Sequence, residues 1–488
     1  MIILRIGAGA LPKTNLNDEN DRKSNSADIR RRLEGASTDP IWWDTVTPSA
    51  ALPPLSTNGA CDLAIIGGGF TGLWCAVKAR ERYPNAGIVV LEAVRCGGAA
   101  SGRNGGFCAP SISHGISNAV ARWPREAETL VRLGKENLDA LEQDLIAYGI
   151  EAEYERSGKL NVAATPWQAE GLKSMQAGSA EFGIDSSLLE GADLDARFNT
   201  PAYCAGLWDP NYALVNPTKI VEGLRRVCLE KGVEIYEDTP ANSLKSNRDG
   251  VDIETPQGCL RAARVAMATN AAVPLLKRLR MAIIPIYDYS VVTEPLTNAQ
   301  LAAIGWVGRY GIADSGNQFH YSRKTADNRI LWGGYDAIYH FGSVRADALL
   351  HRSESFERLV KNFDRAFPAL ADVQFSHVWG GIIDTSARTT FFAGKAFGGR
   401  LAYALGFTGQ GVSASRFAAL TMLDLLDGLD TERTSLAMSR SWPVPFPPEP
   451  LRSLAVRWAQ RDLAREDATG HRSLMLRTLD RFGIGFAS

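Results

Sequence analysis

The stretch "DLAIIGGGFTGLWCA", residues 62–76, places four glycines within six positions directly behind a short apolar run. Residues 63–66 read as a buried parallel strand, apolar and followed at once by glycine. Helical periodicity starts near Thr71 and runs to about Arg82, where Pro84 stops it. "AGIVVLEA" (86–93) is a second buried strand, which makes a strand–helix–strand unit. Within it, Gly67 permits the tight turn, Gly69 lets the backbone approach a pyrophosphate, and Gly72 lets helix and strand pack closely. The helix start supplies free N–H groups and a positive dipole end, and the small Ala76 keeps the helix against the sheet.

Glu92 ends the second strand about 20 residues past the last glycine, where an acidic side chain accepts hydrogen bonds from adenosine ribose hydroxyls. Strand, helix, second strand and acid in register turn a generic glycine turn into a dinucleotide site. A nicotinamide domain usually completes its sheet in one contiguous stretch. Here the next strand of that kind, ending in "ATNA" (268–271), comes nearly 180 residues later, and a further glycine turn, "GFTGQGV", follows at 406–412. Such scattering suggests a longer cofactor spanned by distant segments, as an extended flavin dinucleotide is. The helix beginning near Gln410 would aim its positive end at the N1–C2=O edge of a reduced flavin, a plain left-handed turn and cap being the alternative.

Elsewhere, 121–148 reads as one long amphipathic helix, and "EYERSGKLNVAAT" as strand. Helices are expected at 167–182, 217–231 and 351–367, a small antiparallel sheet after 231, and strands at 284–294, 318–334 and 401–405. A net charge of -1 recruits neither nucleic acid nor an anionic membrane in bulk. "DIRRRLEG" (28–35) reads as a solvated face. Seven scattered cysteines lack metal-ligand spacing and suit a reducing cytoplasm. No secretory signal or membrane-spanning run stands out, so a soluble protein with no bound metal is expected.

The segments "DLAIIGGGFTGLWCA…VVLEAVRCGGAASGRNGGF", "GLWDPNYALVNPTKIVEGL", "RVAMATNA", "HYSRKTADNRILWGG", "WGGIIDTSARTTFFAG" and "LAYALGFTGQGVSAS" resemble, in order, the FAD-dependent D-amino acid oxidase/glycine oxidase (DAO) superfamily. They are most similar to its gamma-glutamylputrescine oxidase-like branch. The likeness runs from about Asp39 to the C-terminus. It implies a mixed α/β fold: a Rossmann-like FAD domain of the glutathione-reductase type interleaved with an antiparallel-sheet substrate domain. The expected FAD segments are 39–115, 206–280 and 378–428, and the expected substrate segments are 116–205 and 281–377. Residues 1–38 are expected to be a flexible extension, and 429–488 an extension packed on the body.

The resemblance also implies cofactor contacts: Gly67, Gly69, Phe70, Thr71, Gly72, Glu92 and Ala93 at the ADP end; Ser101, Arg103, Asn104, Gly105 and Gly106 beside the pyrophosphate and isoalloxazine; Ala241 at adenine; Ala268 and Thr269 in "ATNA"; and Gly409, Gln410, Gly411 and Val412 at the pyrimidine edge. No cysteine or histidine stands where some relatives attach flavin, so noncovalent FAD is expected. The implied reaction is hydride transfer from an amine-bearing carbon to flavin N5, giving an imine, then a carbonyl product and hydrogen peroxide. The implied partners are a small amine or amino-acid-like substrate and molecular oxygen, in a monomer or homodimer. A dehydrogenase feeding a quinone or carrier protein, a non-catalytic flavoprotein and an NAD-linked reductase are the alternatives. Catalytic candidates are Arg323 as a bidentate clamp for an anionic substrate group, or else an inter-strand ion pair; Tyr321 beside it; Trp379 as a cavity wall; and His320, read as more structural than catalytic. Tyr287, Tyr289 and Arg388 are weaker candidates.

Overall fold

In the computed structural model, which describes residues 26–485, Gly59–Ile66 is a strand between two parallel neighbours, Ile88–Leu91 and Cys259–Met267. Parallel strands covered on both faces need continuous apolar side chains, which is why "LAII" and "IVVL" show no alternation. Leu401–Leu405 and Glu234–Tyr236 extend the sheet in parallel on either side. The alternating stretch after 231 forms the antiparallel meander Ser243–Ser246, Val251–Glu254, Cys259–Met267, and Phe392–Ala396 pairs antiparallel with Leu401–Leu405. Eight strands result, one face covered by helices Phe70–Arg82, Pro217–Glu230 and Gly411–Asp427 around Leu73, Trp74, Leu224 and Phe417.

A second eight-stranded sheet runs, in spatial order, Phe375–Ser386, Ile283–Thr293, Ile330–Gly334, His320–Lys324, Gly311–Asp314, Lys159–Ala163, Ala205–Asp209, Ser187–Glu190. Every pairing is antiparallel except that of Gly311–Asp314 with Lys159–Ala163. Helix Ser353–Ala366 packs Phe356 and Phe363 edge-on against Tyr289 and Trp332 of this sheet. Each sheet draws strands from separated stretches, so the chain crosses between them repeatedly. The fold is mixed α/β, a Rossmann-like unit interleaved with a largely antiparallel one.

Several expectations need correction. The boundary expected at 378 falls inside Phe375–Ser386, whose pairing with Ile283–Thr293 runs almost its whole length, so the crossing comes after Ser386. The boundary at 206 likewise falls inside Ala205–Asp209, a second-sheet strand. The long helix at 121–148 is two helices, Ile116–Arg122 and Ala127–Ala147. Pro124 stands between them, and it drives Trp123 out of the helical region (φ -134°, ψ 60°).

The flexible extension expected at 1–38 lies outside the described residues up to 25, and over 26–38 it is ordered. Ser26–Leu33 is a helix with Ile29 and Arg32 buried. Nη1 of Arg32 donates to both carboxylate oxygens of Asp364 at 2.9 Å, Nε donates to the Val373 carbonyl at 2.8 Å, and the guanidinium lies 5.3 Å from the Phe375 ring centroid. The arginine run in "DIRRRLEG" is therefore solvated on one side only. Removing one partner of a buried pair strands the other charge, so Arg32→Met should destabilise the fold by about 3 kcal/mol. The expected readout is a lower urea midpoint; an unchanged midpoint would mean that this helix is a surface appendage.

Candidate functional site

The first glycine turn is shaped by contacts too close for any side chain. Gly67 has φ +111°, and a Cβ there would sit 2.5 Å from the Ala268 carbonyl oxygen. A Cβ on Gly72 would sit 1.8 Å from the Gly67 oxygen, and one on Gly69 2.8 Å from Ser101 Oγ. Gly69 is the N-cap of helix Phe70–Arg82, without a side chain to cap it; Ser101 Oγ instead accepts the Phe70 N–H at 2.9 Å. Glu92 Oε2 accepts the Gly68 N–H at 2.6 Å and Oε1 the Val94 N–H at 3.0 Å. Burial raises the Glu92 carboxyl above its ordinary range, opposed by those N–H groups. The Glu92 carbonyl accepts the Thr239 N–H at 2.8 Å, which brings the loop bearing Ala241 to the same strand end.

From this turn a cavity of about 480 Å³ opens between the two sheets, within the roughly 300–1,000 Å³ of small-molecule sites. Its wall carries Gly69, Phe70, Thr71, Ser101, Arg103, Asn104 and Gly105 from the first turn and following loop, Ala268 from "ATNA", and Gly409, Gln410, Gly411 and Val412 from the last. That last turn is held by a residue the sequence reading missed. Asp384, buried in strand Phe375–Ser386, accepts the N–H groups of Gly406 and Phe407 on its carboxylate, and its carbonyl accepts Thr408 N–H. Burial pushes Asp384 up to about 7, opposed by these donors. The signal was available: a lone acid among apolar residues in "GGIIDTS". Helix Gly411–Asp427 follows, with no side-chain hydrogen bond from its N-cap Gln410, so its first N–H groups and positive end remain for a ligand.

The polar groups of the cavity belong to the second sheet. Asp288 Oδ2 accepts the Tyr321 hydroxyl at 2.9 Å, and Ser290 Oγ lies 3.0 Å from the same hydroxyl. Glycines make room for that ring: a Cβ on Gly333 would meet the Tyr321 oxygen at 2.5 Å, and one on Gly105 its edge at 2.9 Å. Burial pushes Asp288 up to about 6, against the Tyr321 hydrogen bond, and raises the Tyr321 phenol well above its usual value. Lys159 also lines the cavity, its ammonium 5.1 Å from the Tyr212 ring centroid. Among the described residues no hydrogen bond or ion pair holds that ammonium, and burial lowers it to about 8, with Asp209 opposing. Neither Asp288 nor Lys159 was singled out from the sequence.

Arg323 is corrected by position, and His320 takes the structural place read for it rather than a catalytic one. Arg323 is 1% exposed and lies off the cavity wall. Its Nη1 donates to the Val215 carbonyl at 2.6 Å and to Gly106 at 3.4 Å, while the guanidinium faces Trp42 at 5.2 Å. It braces the loop at 105–106 from behind and cannot clamp a substrate anion; burial drives it down to about 9. His320 is stacked between Trp332 and Tyr335, with Nδ1 3.2 Å from the Gly333 carbonyl and Nε2 3.0 Å from Asn362 Nδ2. Burial lowers it to about 3, so it stays neutral and structural. Trp379 does wall the cavity, donating Nε1–H to the Arg103 carbonyl at 2.9 Å. Tyr287, Tyr289 and Arg388 spend their polar atoms on backbone carbonyls, Arg388 also on Ser441. Gly67, Gly72, Glu92, Ala93, Gly106, Ala241 and Thr269 also lie off the cavity wall. The C-terminal segment adds Val456, Leu463, Leu476 and Ile484 to that wall, a contribution its composition did not announce.

Three observations fit FAD to this seat. Thr269 Oγ1 and Asn270 Oδ1 are buried with no partner beside the cavity, and Asn270 takes the left-handed conformation (φ 45°) at the turn. The first turn carries glycines where a Cβ would clash, and the last presents a helix N-terminus. The comparisons agree with this reading. A family profile described as "DAO: FAD dependent oxidoreductase" matches residues 62–425. The chain is 26% identical over 403 residues to the "Probable oxidoreductase OrdL" of Haemophilus influenzae, covering 81% of this chain and 89% of the other. It is 28% identical over 393 residues to the "Gamma-glutamylputrescine oxidoreductase" of Escherichia coli, covering 79% and 87%. Its fold superposes on glycine oxidase from Geobacillus kaustophilus with TM-score 0.66 at 19% identity, covering 78% and 99%. With this profile spanning both glycine turns and both sheets, the chain belongs to the DAO family of FAD-dependent oxidoreductases.

Proposed function

We propose that the protein is an amine or amino-acid oxidase whose substrate carries an anionic group, with oxygen as electron acceptor. The observation that supports this most is the pairing, in one cavity, of the Asp288–Tyr321 couple with the unpartnered Lys159 ammonium. We assign the ADP end of the cofactor to Gly67, Gly69, Gly72, Glu92 and Ala241, and the flavin end to the loop 101–106 and the turn 409–412, without a covalent bond. When bound, FAD would accept the hydride of the C–H bond beside the substrate's amine, leaving an imine, and pass the two electrons to dioxygen to give hydrogen peroxide.

The remaining work falls to this chain's own side chains. The Asp288 carboxylate attracts the substrate ammonium and takes its proton, so that the amine reacts in neutral form. The Tyr321 hydroxyl, held by Asp288 and Ser290, fixes the orientation of that carboxylate. Lys159 meets the substrate's anionic group, which offsets the cost of its own burial. Trp379 and the C-terminal wall keep water off the reacting carbon, and water enters afterwards to hydrolyse the imine product. The free cysteines and the chemistry fit a cytoplasmic setting.

Asp288 sets the pH dependence. Its carboxyl is raised to about 6, so it is protonated and inactive below that value and ionised above it. kcat/KM should therefore rise through an acid limb near pH 6, and Asp288→Asn should remove the limb and lower kcat/KM roughly 10²-fold or more. An unaltered profile in Asp288→Asn would take this residue out of the reaction. Lys159→Met should raise KM for anionic amines about tenfold or more while leaving neutral amines and kcat little changed; equal KM values for both classes would remove it from the site. Oxygen use is tested by peroxide yield: stoichiometric peroxide under air supports the oxidase, whereas turnover only with a quinone would replace it with a dehydrogenase.

A further inference from the structure

The helix Leu451–Thr469 lies beyond the matched family segment, and its two faces differ in an informative way. Its inner face places Val456, Ala459 and Leu463 on the cavity wall. Its outer face carries Leu451, Leu454 and Trp458, which are 59%, 59% and 58% exposed, at helical spacing. Arg457, Arg461 and Arg465 share that exposed stripe. Among the described residues none of these three arginines has an ion-pair or hydrogen-bonded side chain.

The acidic residues of the same helix are all turned inward and occupied. Asp462 accepts from Ser473, Glu466 pairs with Arg472, and Asp467 accepts the backbone N–H groups of Asn317 and Gln318. Apart from Arg452, which is buried and spent on the Pro447 carbonyl and Ser343, the helix thus sorts its charge, negative toward the body and positive outward, in a chain whose net charge is only -1. An exposed stripe of leucine and tryptophan edged with unpaired arginines matches the interface of an anionic bilayer, where indole sits at headgroup level and arginine meets phosphate. A second copy of this chain would bring arginine against arginine on the same patch, which disfavours self-association there. No described helix is long and apolar enough to cross a membrane. We propose that this face docks the protein on the surface of an anionic membrane, with the helix lying in the interface plane and its inner side still walling the cavity.

The proposal does not depend on the substrate or on the flavin. It is tested by sedimenting the full chain with phosphatidylcholine–phosphatidylglycerol vesicles and with pure phosphatidylcholine vesicles. Binding is expected only to the anionic vesicles, with a blue shift of tryptophan emission that Trp458→Ser abolishes. It should be lost at about 0.5 M salt, where screening shortens to a few ångström. Each arginine near the surface contributes about fivefold to partitioning, so the combined Arg457→Gln, Arg461→Gln, Arg465→Gln variant should bind about a hundredfold more weakly. All these positions are exposed, and circular dichroism checks that the variants fold. Absence of sedimentation with anionic vesicles, or binding that the triple variant leaves unchanged, would overturn the proposal. So would a dimer in light scattering that Leu454→Ser dissociates, because the face would then be covered by a second copy.

Discussion

A Cβ on Gly72 would lie 1.8 Å from the carbonyl oxygen of Gly67, and one on Gly67 would lie 2.5 Å from that of Ala268. These two approaches bring the N-terminal end of helix Phe70–Arg82 down onto the ends of two parallel strands. The helix's first N–H groups and the "ATNA" turn then face the same space. Placement of Ser101, Glu92 and the loop at 101–106 follows from this, since Ser101 and Glu92 both bond to the backbone of the turn. The last glycine turn is set by a different device, the buried Asp384 carboxylate beneath Gly406 and Phe407. One end of the seat rests on missing side chains, the other on one buried acid.

The second sheet solves a different problem, which is keeping charge in a cavity without cancelling it. Arg323 is the strongest cation on its strand, but three carbonyls, of Val215, Gly106 and Gly105, and the Trp42 face absorb it. Charge left for a ligand is carried by Lys159, resting on an aromatic face, and by Asp288, tempered by a phenol. A half-buried ammonium with no ion-pair partner among the described residues is the condition under which an incoming anion gains most.

What the sequence disclosed tracks how local each signal is. The glycine spacing, the buried strands and the acid at Glu92 obey short-range rules, and the strands that they imply pair in parallel in one sheet. Arg323 was misplaced because a sequence shows a residue's type and strand, not which face another loop will cover. Lys159 and Asp288 escaped notice for the same reason: Lys159 becomes a cavity group only when its strand pairs with Gly311–Asp314, and Asp288 only when its strand pairs with Phe375–Ser386 and Ile330–Gly334. Residues 28–35 looked like a solvated face or flexible arm because three arginines stand together, and only tertiary pairing with Asp364 turns one of them inward. Packing of 429–488 on the body was expected, but its share in the cavity wall was not legible, because its helix carries apolar and polar residues on both sides. That pattern gives no clear period until the body claims one face.

The central claim is that the glycine contact between Gly72 and Gly67 creates the seat for FAD. The most direct measurement is the flavin content of purified wild-type and Gly72→Ala protein, read from visible absorbance and from FAD released by acid. The account predicts a yellow wild-type protein that releases its FAD, and a Gly72→Ala variant with native-like circular dichroism and little or no flavin. A Gly72→Ala protein that retains the full wild-type complement of FAD would contradict it.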